Sequence, residues 1–339
     1  MPTQLSPLDG PRAITDADFP QTGPTQAQLA AMLNWAVQAP SVLNTQPWRF
    51  HLQPDAVEVH VDRDRQLHSI DPDGREAVIS CGAALATLRL VARHYGFAVV
   101  VSYAEPDAPP DLVATLRLAG PSRATSAEEV LYEAIKRRHT NRDPYADIAI
   151  PAALLTDLAV AASAEGARLH ILAAPDDRAT LATLVGEAVR VQRDDPATVA
   201  EFRTWLRPTG DRRADGVPDE VQGGWDRLSH LYSEARFLAA EAEQLAAEAP
   251  ALFVVATVAD TPADWVRAGQ ALQRVLLVGA ARGLAASYFN QPTEVAALRE
   301  QVAALLGGEA PQVVFRMGTP IEARGTPRRP VDDVLVRPA

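Results

Sequence analysis

The feature that most restricts this chain is that it repeats itself. Residues Cys81 through Gly96 lie without a gap on Ala268 through Gly283, pairing Gly82 with Gly269, Leu85 with Leu272 and Gly96 with Gly283 at a constant offset of 187. Upstream, Arg49-Phe50-His51-Leu52 falls on Arg168-Leu169-His170-Ile171 at an offset of 119, and downstream Leu116-Arg117-Leu118 resembles Phe315-Arg316-Met317. A self-similar chain is built from copies of one unit, and missing the repeat misreads the whole fold. The expectation is two related halves, residues 1–123 and 124–339, divided near 121–126. The change of offset leaves 68 extra residues in the second half, between Ile171 and Ala251.

The middle of that insertion, Arg193 to Gly224, is polar and carries Asp194-Asp195-Pro196, Pro208-Thr209-Gly210 and Gly223-Gly224. It breaks repeatedly and cannot be one long helix. Irregular insertions of this length are either functional lids or surface excursions.

Elsewhere the pattern alternates helix and strand. Thr261-Pro262-Ala263-Asp264, followed by apolar or small residues at three- and four-residue spacing, predicts a helix capped by Thr261 with Pro262 in its first turn and Gly283 beyond its end. Its counterpart begins near Asp73 and ends at Gly96. Gly82 and Gly269, at matching points, predict a close crossing of the two helices, since a residue without a β-carbon lets backbones approach. Runs rich in Val, Leu, Ile and Phe predict strands over 57–61, 98–102, 112–118, 168–172, 251–258, 286–289 and 313–317. Trp48 begins a further strand through Arg49-Phe50-His51 and reads as a core anchor. The class is α+β.

With 339 residues, 47% hydrophobic and 22% charged, the chain is long enough for two cores or one large shared core. A net charge of −11 argues against nucleic acid, whose phosphates call for a basic face. A single cysteine, Cys81, excludes an intrachain disulfide and reads as a core thiol. No leader pattern and no run of about 18 apolar residues is evident, so the expectation is a cytoplasmic protein with no membrane partner. There is no Gly-x-Gly-x-x-Gly, no Gly-x-Ser-x-Gly and no His/Cys cluster with metal spacing, and the scattered histidines need no ligand role.

Two segments carry chemistry. Pro40 to Phe50 sets Ser41, Asn44, Thr45 and Gln46 on a turn ending in Pro47-Trp48, which suits contacts to the edge of a planar heterocycle. Arg137 to Tyr145 reads Arg-Arg-His-Thr-Asn-Arg-Asp-Pro-Tyr and offers cations to a phosphate, because a guanidinium binds two anionic oxygens at once. Alternation along an extended stretch lets Arg138, Thr140 and Arg142 share a face, with His139 turned away as a bystander. Arg137 is a further candidate. Gly325 to Pro330 adds Arg328 and Arg329, and Phe289 to Glu294 presents Asn290 and Gln291. Each half lacks what the other has: 20–25 contains no cation, and 161–167 contains no counterpart of the Pro40 to Trp48 turn.

Together these segments resemble the FMN-dependent nitroreductase family, and the fused halves with a large second-half insertion most resemble its Acg branch. The resemblance implies a nitroreductase-like fold, an intrachain pseudo-dimer completing one FMN site, and a lid at about 190–235. It also implies an Arg-rich arm on the FMN phosphate, Pro40, Ser41 and Asn44 or Gln46 reaching the isoalloxazine, and Asn290 and Gln291 near its reactive nitrogen. Arg328 and Arg329 join the phosphate in that scheme, and no protein acid or base is required. The implied activity is an oxidoreductase passing electrons from NADH or NADPH through FMN to a nitroaromatic, quinone or similar acceptor. The Acg likeness implies an alternative, flavin sequestration under a closed lid.

Overall fold

The computed structural model describes residues 10–218, 246, 248–322 and 324–336. The expected lid therefore falls partly, over 219–235, outside the described residues.

The first series of elements is α1 (Thr25–Ala36), β1 (Trp48–Leu52), β2 (Ala56–Val61), α2 (Arg75–His94), β3 (Phe97–Tyr103) and β4 (Leu112–Pro121). After α3 (Ser126–Ala134) come α4 (Ala152–Ser163), β5 (Arg168–Ile171), α5 (Pro175–Asp194), α6 (Pro196–Trp205), β6 (Leu206–Arg207) and β7 (Val217–Pro218). The chain continues through β8 (Ala251–Thr257), α7 (Pro262–Ala281), β9 (Ala285–Tyr288), α8 (Gln291–Glu294), α9 (Ala296–Leu305), β10 (Ala310–Gly318) and β11 (Leu335–Val336). The α+β class and every strand expected from the sequence are present, with ends shifted by at most a few residues.

One sheet has the order β11-β1-β2-β4-β3 and the other β5-β8-β10-β9. Leaving β11 aside, both follow first–second–fourth–third, with antiparallel pairing throughout and a long helix between the second and third strands. The repeat seen in the sequence is thus a repeat of topology, and the extra residues of the second half lie between β5 and β8. β11 departs from the expected division: it pairs parallel to β1, Leu335 opposite Phe50, so the end of the chain completes the sheet of the first half.

Burial follows strand position. Along β1, Trp48, Phe50 and Leu52 face the core while Arg49 and His51 face outward. β8 is buried along its whole length because its two faces meet different cores, Phe253 and Val255 in one and Leu252, Val254 and Ala256 in the other. A strand covered on both sides reads as a continuous apolar run.

α2 and α7 pack along each other between the two sheets. Thr261 caps α7 as expected: its hydroxyl accepts from the Asp264 N–H at 3.3 Å, and the Asp264 carboxylate accepts from the Thr261 N–H at 3.2 Å. The helices meet at Gly82 and Gly269. A β-carbon on Gly269 would lie 2.0 Å from the Ile79 carbonyl oxygen, and one on Gly82 would lie 2.5 Å from that of Val266. Only glycine fits either position at this separation. α2 is also long and apolar enough to cross a bilayer by length and composition, contrary to the sequence expectation, but 72% of that apolar window is buried in this fold.

This crossing generates a stability prediction. Replacing Gly269 by Ala forces the helices apart and costs at least about 1–3 kcal/mol, the usual range for overpacking, read as a fall in the thermal midpoint; the same change at exposed Gly210, whose site is open but whose φ is +86°, costs only backbone strain.

Candidate active site

A cavity of about 230 Å³ lies beside the α2/α7 pair. Ile79, Ala83, Leu272 and Val313 form its apolar wall. Further apolar side chains, Ile70, Phe202, Leu206 and Val217 among them, complete the lining, and its charged groups include Arg142 and Arg316 on one side, the cationic end, and Glu76 and Glu294 on the other, the acidic end.

The cationic end comes from three places in the chain. Thr140 forms a parallel bridge with Ala286 of β9, and the Asn141 N–H donates to the Ala286 carbonyl at 2.8 Å, so the Arg-rich segment is stitched to the second sheet. Arg142 and Thr140 line the cavity, as does Arg316 from β10. Arg138 is 4% exposed and donates through Nη2 to the Gln38 carbonyl at 2.9 Å, while its Nε has no partner among the described residues. Arg142 Nη1 and Arg316 Nε are likewise buried without a partner. Arg316, 4% exposed, stacks over Tyr145 at 4.8 Å and Phe289 at 5.5 Å.

Burial lowers the pKa of all three guanidiniums, Arg142 to about 10, and no carboxylate opposes them. They remain charged at neutral pH. The phenol of Tyr288 stands among Arg138, Arg142 and Arg328; burial pushes its pKa up and those cations partly offset this. Buried charge is normally paired, so unpaired N–H groups of three buried arginines describe a site made for an anion. A phosphate fits that donor set.

Not every residue expected here reaches it. Arg137 is exposed. Arg329 is engaged elsewhere, donating from its backbone N–H to Gln46 Oε1 at 2.9 Å and from Nη2 to the Asp333 carbonyl at 2.6 Å. Arg328 donates to Asn44 Oδ1 at 3.0 Å and to the Thr326 hydroxyl at 2.6 Å, next to the cationic end.

The turn from Pro40 to Pro47 is strained. Leu43, Asn44 and Gln46 have φ of 44°, 54° and 53°, in the left-handed region that costs non-glycine residues about 1–3 kcal/mol each. It is held by the Ser41 hydroxyl, which accepts from the Gln46 N–H at 2.9 Å. Pro40, Ser41 and Asn44 line the cavity, but the amides of Asn44 and Gln46 are committed. Asn44 donates to the carbonyls of Gly216 at 2.9 Å and Pro327 at 3.2 Å, and Gln46 donates to the Ala214 carbonyl at 2.8 Å. These two side chains anchor loops rather than face a ligand, because each amide finds backbone partners brought by the insertion and the chain's end.

The described part of the insertion covers the cavity. Phe202 of α6, Leu206 of β6 and Val217 of β7 line it. Phe202 packs with Leu67 and Ile70 of the first half, the Glu201 carboxylate accepts from the Ser69 N–H at 3.1 Å, and the Gly216 N–H donates to the Asn44 carbonyl at 3.1 Å. Asp215 joins Arg65 at 2.8 Å and Arg207 at 2.7 Å. Burial pushes Asp215 upward, but the bonds from Arg65 and Arg207 outweigh it and hold its pKa below the ordinary aspartate value.

At the acidic end, Asn290 donates to Glu76 at 3.2 Å and accepts from the Val314 N–H at 3.0 Å. Gln291 lines the cavity and its Oε1 has no partner. Trp48 and Cys81 are core residues as expected; the Cys81 thiol lies 3.3 Å from the Pro47 carbonyl and burial drives its pKa well up, so it is no nucleophile. Arg316, Tyr288, Glu76 and Glu294 were not expected from sequence. The single hint was the alignment of Arg316 with Arg117 in the repeat.

A family-wide profile described as Nitroreductase family matches residues 135–319. A Mycobacterium tuberculosis protein carrying the provisional name NAD(P)H nitroreductase Rv3131 is 31% identical over 93% of this chain and 93% of its own length. Another, provisionally NAD(P)H nitroreductase acg of the same organism, is 29% identical over 94% of this chain and 98% of its own. Among solved structures, the FMN and NADPH-dependent nitroreductase NfnB of Sphigopyxis sp. strain HMH is 19% identical with a TM-score of 0.39, covering 60% of this chain and 96% of that one. So partial a superposition carries no weight beside the sequence matches.

Two outcomes follow from this geometry. Replacing Arg138 and Arg142 together by Ala abolishes retention of FMN while leaving the circular dichroism spectrum intact; stoichiometric FMN in that variant excludes the phosphate assignment. Because the Asp215 pKa is depressed, its contribution to closure is complete above the unfolded value of about 3.9 and is lost as pH falls through the lower folded value. Asp215→Ala removes it at every pH, so limited proteolysis near residues 206–218 is faster in that variant at pH 7 and the difference from wild type narrows in acid.

Proposed function

This chain belongs to the nitroreductase family, and on that premise we propose that it is an FMN-dependent oxidoreductase passing electrons from NADH or NADPH to a small-molecule acceptor such as a nitroaromatic or quinone. When bound, FMN supplies the redox chemistry, accepting a hydride from the nicotinamide and returning the electrons to the acceptor. The observation that carries the reading is the set of buried guanidinium N–H groups of Arg138, Arg142 and Arg316 that have no partner among the described residues, beside a cavity with an apolar wall. Arg138, Thr140 and Arg142 hold the phosphate in this proposal, with Arg316 and Arg328 adding positive potential. Ile79, Ala83 and Leu272 support a planar ring, and Ser41 and Gln291 meet its polar edge, with the backbone of Asn290 beside them. The relatives' names point the same way.

Among the described residues the strained turn at 43–46 and the Arg137 to Tyr145 segment meet at this cavity. We therefore read the two halves as an intrachain pseudo-dimer with one FMN, working in a reducing compartment such as the cytoplasm, with no nucleic-acid or membrane partner. The strained turn belongs to the first half and the cations to the second; the α2/α7 crossing brings them together.

One observation favours a second reading. Phe202, Leu206 and Val217 sit over the cavity, and hydrogen bonds from Asn44, Gln46 and Arg65 hold that cover closed. A cover that stays closed excludes nicotinamide and acceptor alike and leaves a protein that sequesters flavin. Anaerobic visible spectra of the FMN-loaded protein separate the two. Bleaching by NADPH or NADH is the result expected of the reductase, whereas bleaching by dithionite alone contradicts it and supports sequestration.

A further inference from the structure

The two glutamates at the acidic end of the cavity have no role in that scheme. Glu76, in the first turn of α2, is 3% exposed; its Oε1 accepts from Arg75 Nη2 and from Asn290 Nδ2, each at 3.2 Å, and its Oε2 has no donor. The carboxyl of Glu294, closing α8, lies within hydrogen-bond reach of the Glu76 carboxyl, and its Oε2 accepts from Gln192 of α5. Both glutamates line the cavity. Two carboxyl groups share such a contact only when one of them carries a proton, since two bare carboxylates repel.

The surrounding charges do not remove that need. Asp71, just before α2, is itself acidic, its two oxygens accepting the N–H groups of Glu76 and Ala77 at 3.0 and 2.9 Å. Arg75 is a buried cation that faces all three carboxyls, but it also donates to the carbonyls of Gln312 at 2.6 Å and Thr293 at 3.2 Å. Arg299 of α9 approaches Arg75 and is paired with Asp260 at 2.6 Å, while Arg193 lines the cavity from the end of α5. Burial, then the neighbouring carboxylate, pushes Glu76 well above the usual range, and burial pushes Glu294 up to about 7.

We propose that Glu76 and Glu294 are a proton-storing pair that delivers the second proton of each two-electron turnover to the acceptor bound in the cavity. This rests on the reductase reading for its source of electrons, NADH or NADPH. The balance is that of a quinone-type acceptor: a hydride carries two electrons and one proton, the pair gives the second proton from a carboxyl oxygen, and the neutral quinol leaves. The pair is left as two carboxylates beside Arg75 and is reprotonated from water. Gln192 and Asn290 hold the two carboxyls in place for the exchange, one from the helix that leads into the cover and one from the loop at the end of β9.

Infrared spectroscopy of the holoprotein reads this proton without turnover. Above about pH 6, carboxyls of ordinary pKa are ionised, so a surviving protonated-carboxyl band belongs to a perturbed group. The wild type is expected to show such a band at pH 6 and to lose it as pH rises through about 7, and Glu294→Gln is expected to abolish that titration. Reduction of a quinone by the pre-reduced Glu294→Gln protein is expected to slow by about ten-fold or more, as for loss of a general acid, with its reduction by dithionite unchanged. A wild type with no titrating band, or a Glu294→Gln variant that keeps it, overturns the proposal. If the chain takes up no flavin, the flavin reading fails on its own absorbance, and the same titration on the flavin-free protein still reads the pair.

Discussion

The wall of the cavity is built on the close contact between Gly82 and Gly269, where its two long helices meet. Where those two helices touch, a β-carbon on either would overlap a backbone atom of the other, and the closeness of the crossing sets how the two sheets face each other. Glu76, Ile79, Ser80 and Ala83 of α2 and Leu272 of α7 then form one continuous wall of the cavity. The segment leading into the strained turn is also joined directly to the cations, Arg138 donating to the Gln38 carbonyl at 2.9 Å.

A second constraint sits on that frame. The turn at 43–46 holds three residues in left-handed conformations, and the strain is offset by hydrogen bonds to segments that arrive from far along the chain, Ala214, Gly216, Pro327 and Arg328. The same amides that the sequence suggests for ligand contact are thus used to fasten the cover and the C-terminal loop. Access to the cavity and the conformation of its rim are coupled through Asn44 and Gln46. A ligand edge then falls to Ser41, Asn290 and Gln291, whose side chains or backbone remain beside the cavity.

Much of this was legible in the sequence. The repeat gave the paired topology because periodic burial and glycine placement are local properties, and Thr261-Pro262-Ala263-Asp264 announces a helix start without help from tertiary structure. Arg138, Thr140 and Arg142 stood out as candidates because closely spaced guanidiniums suit an anion, and the structure places Thr140 and Arg142 on the cavity. Other features lack any local signal. β11 is two residues long and gains its pairing only by reaching the other half's sheet. Arg316 sits in a run of Val, Phe and Met, and its repeat partner Arg117 is an exposed residue bound to Asp55, so similarity of pattern hid a difference of environment. Glu76 and Glu294 stand 218 positions apart, and nothing short of the folded chain brings two carboxyls together. Asn44 and Gln46 show the limit in reverse: residue type was right for a polar contact, and the partner was decided by an insertion.

The central claim is that two unequal halves complete one flavin site between them, with the phosphate held by cations of the second half. Its most direct test is the amount of flavin carried per polypeptide, measured by releasing FMN from denatured protein and comparing absorbance with protein concentration after full reconstitution. The account predicts one FMN per chain, whatever the association state of the protein. Two per chain would show a second working site where the first half has no cation, and none would show that the buried arginines serve another anion.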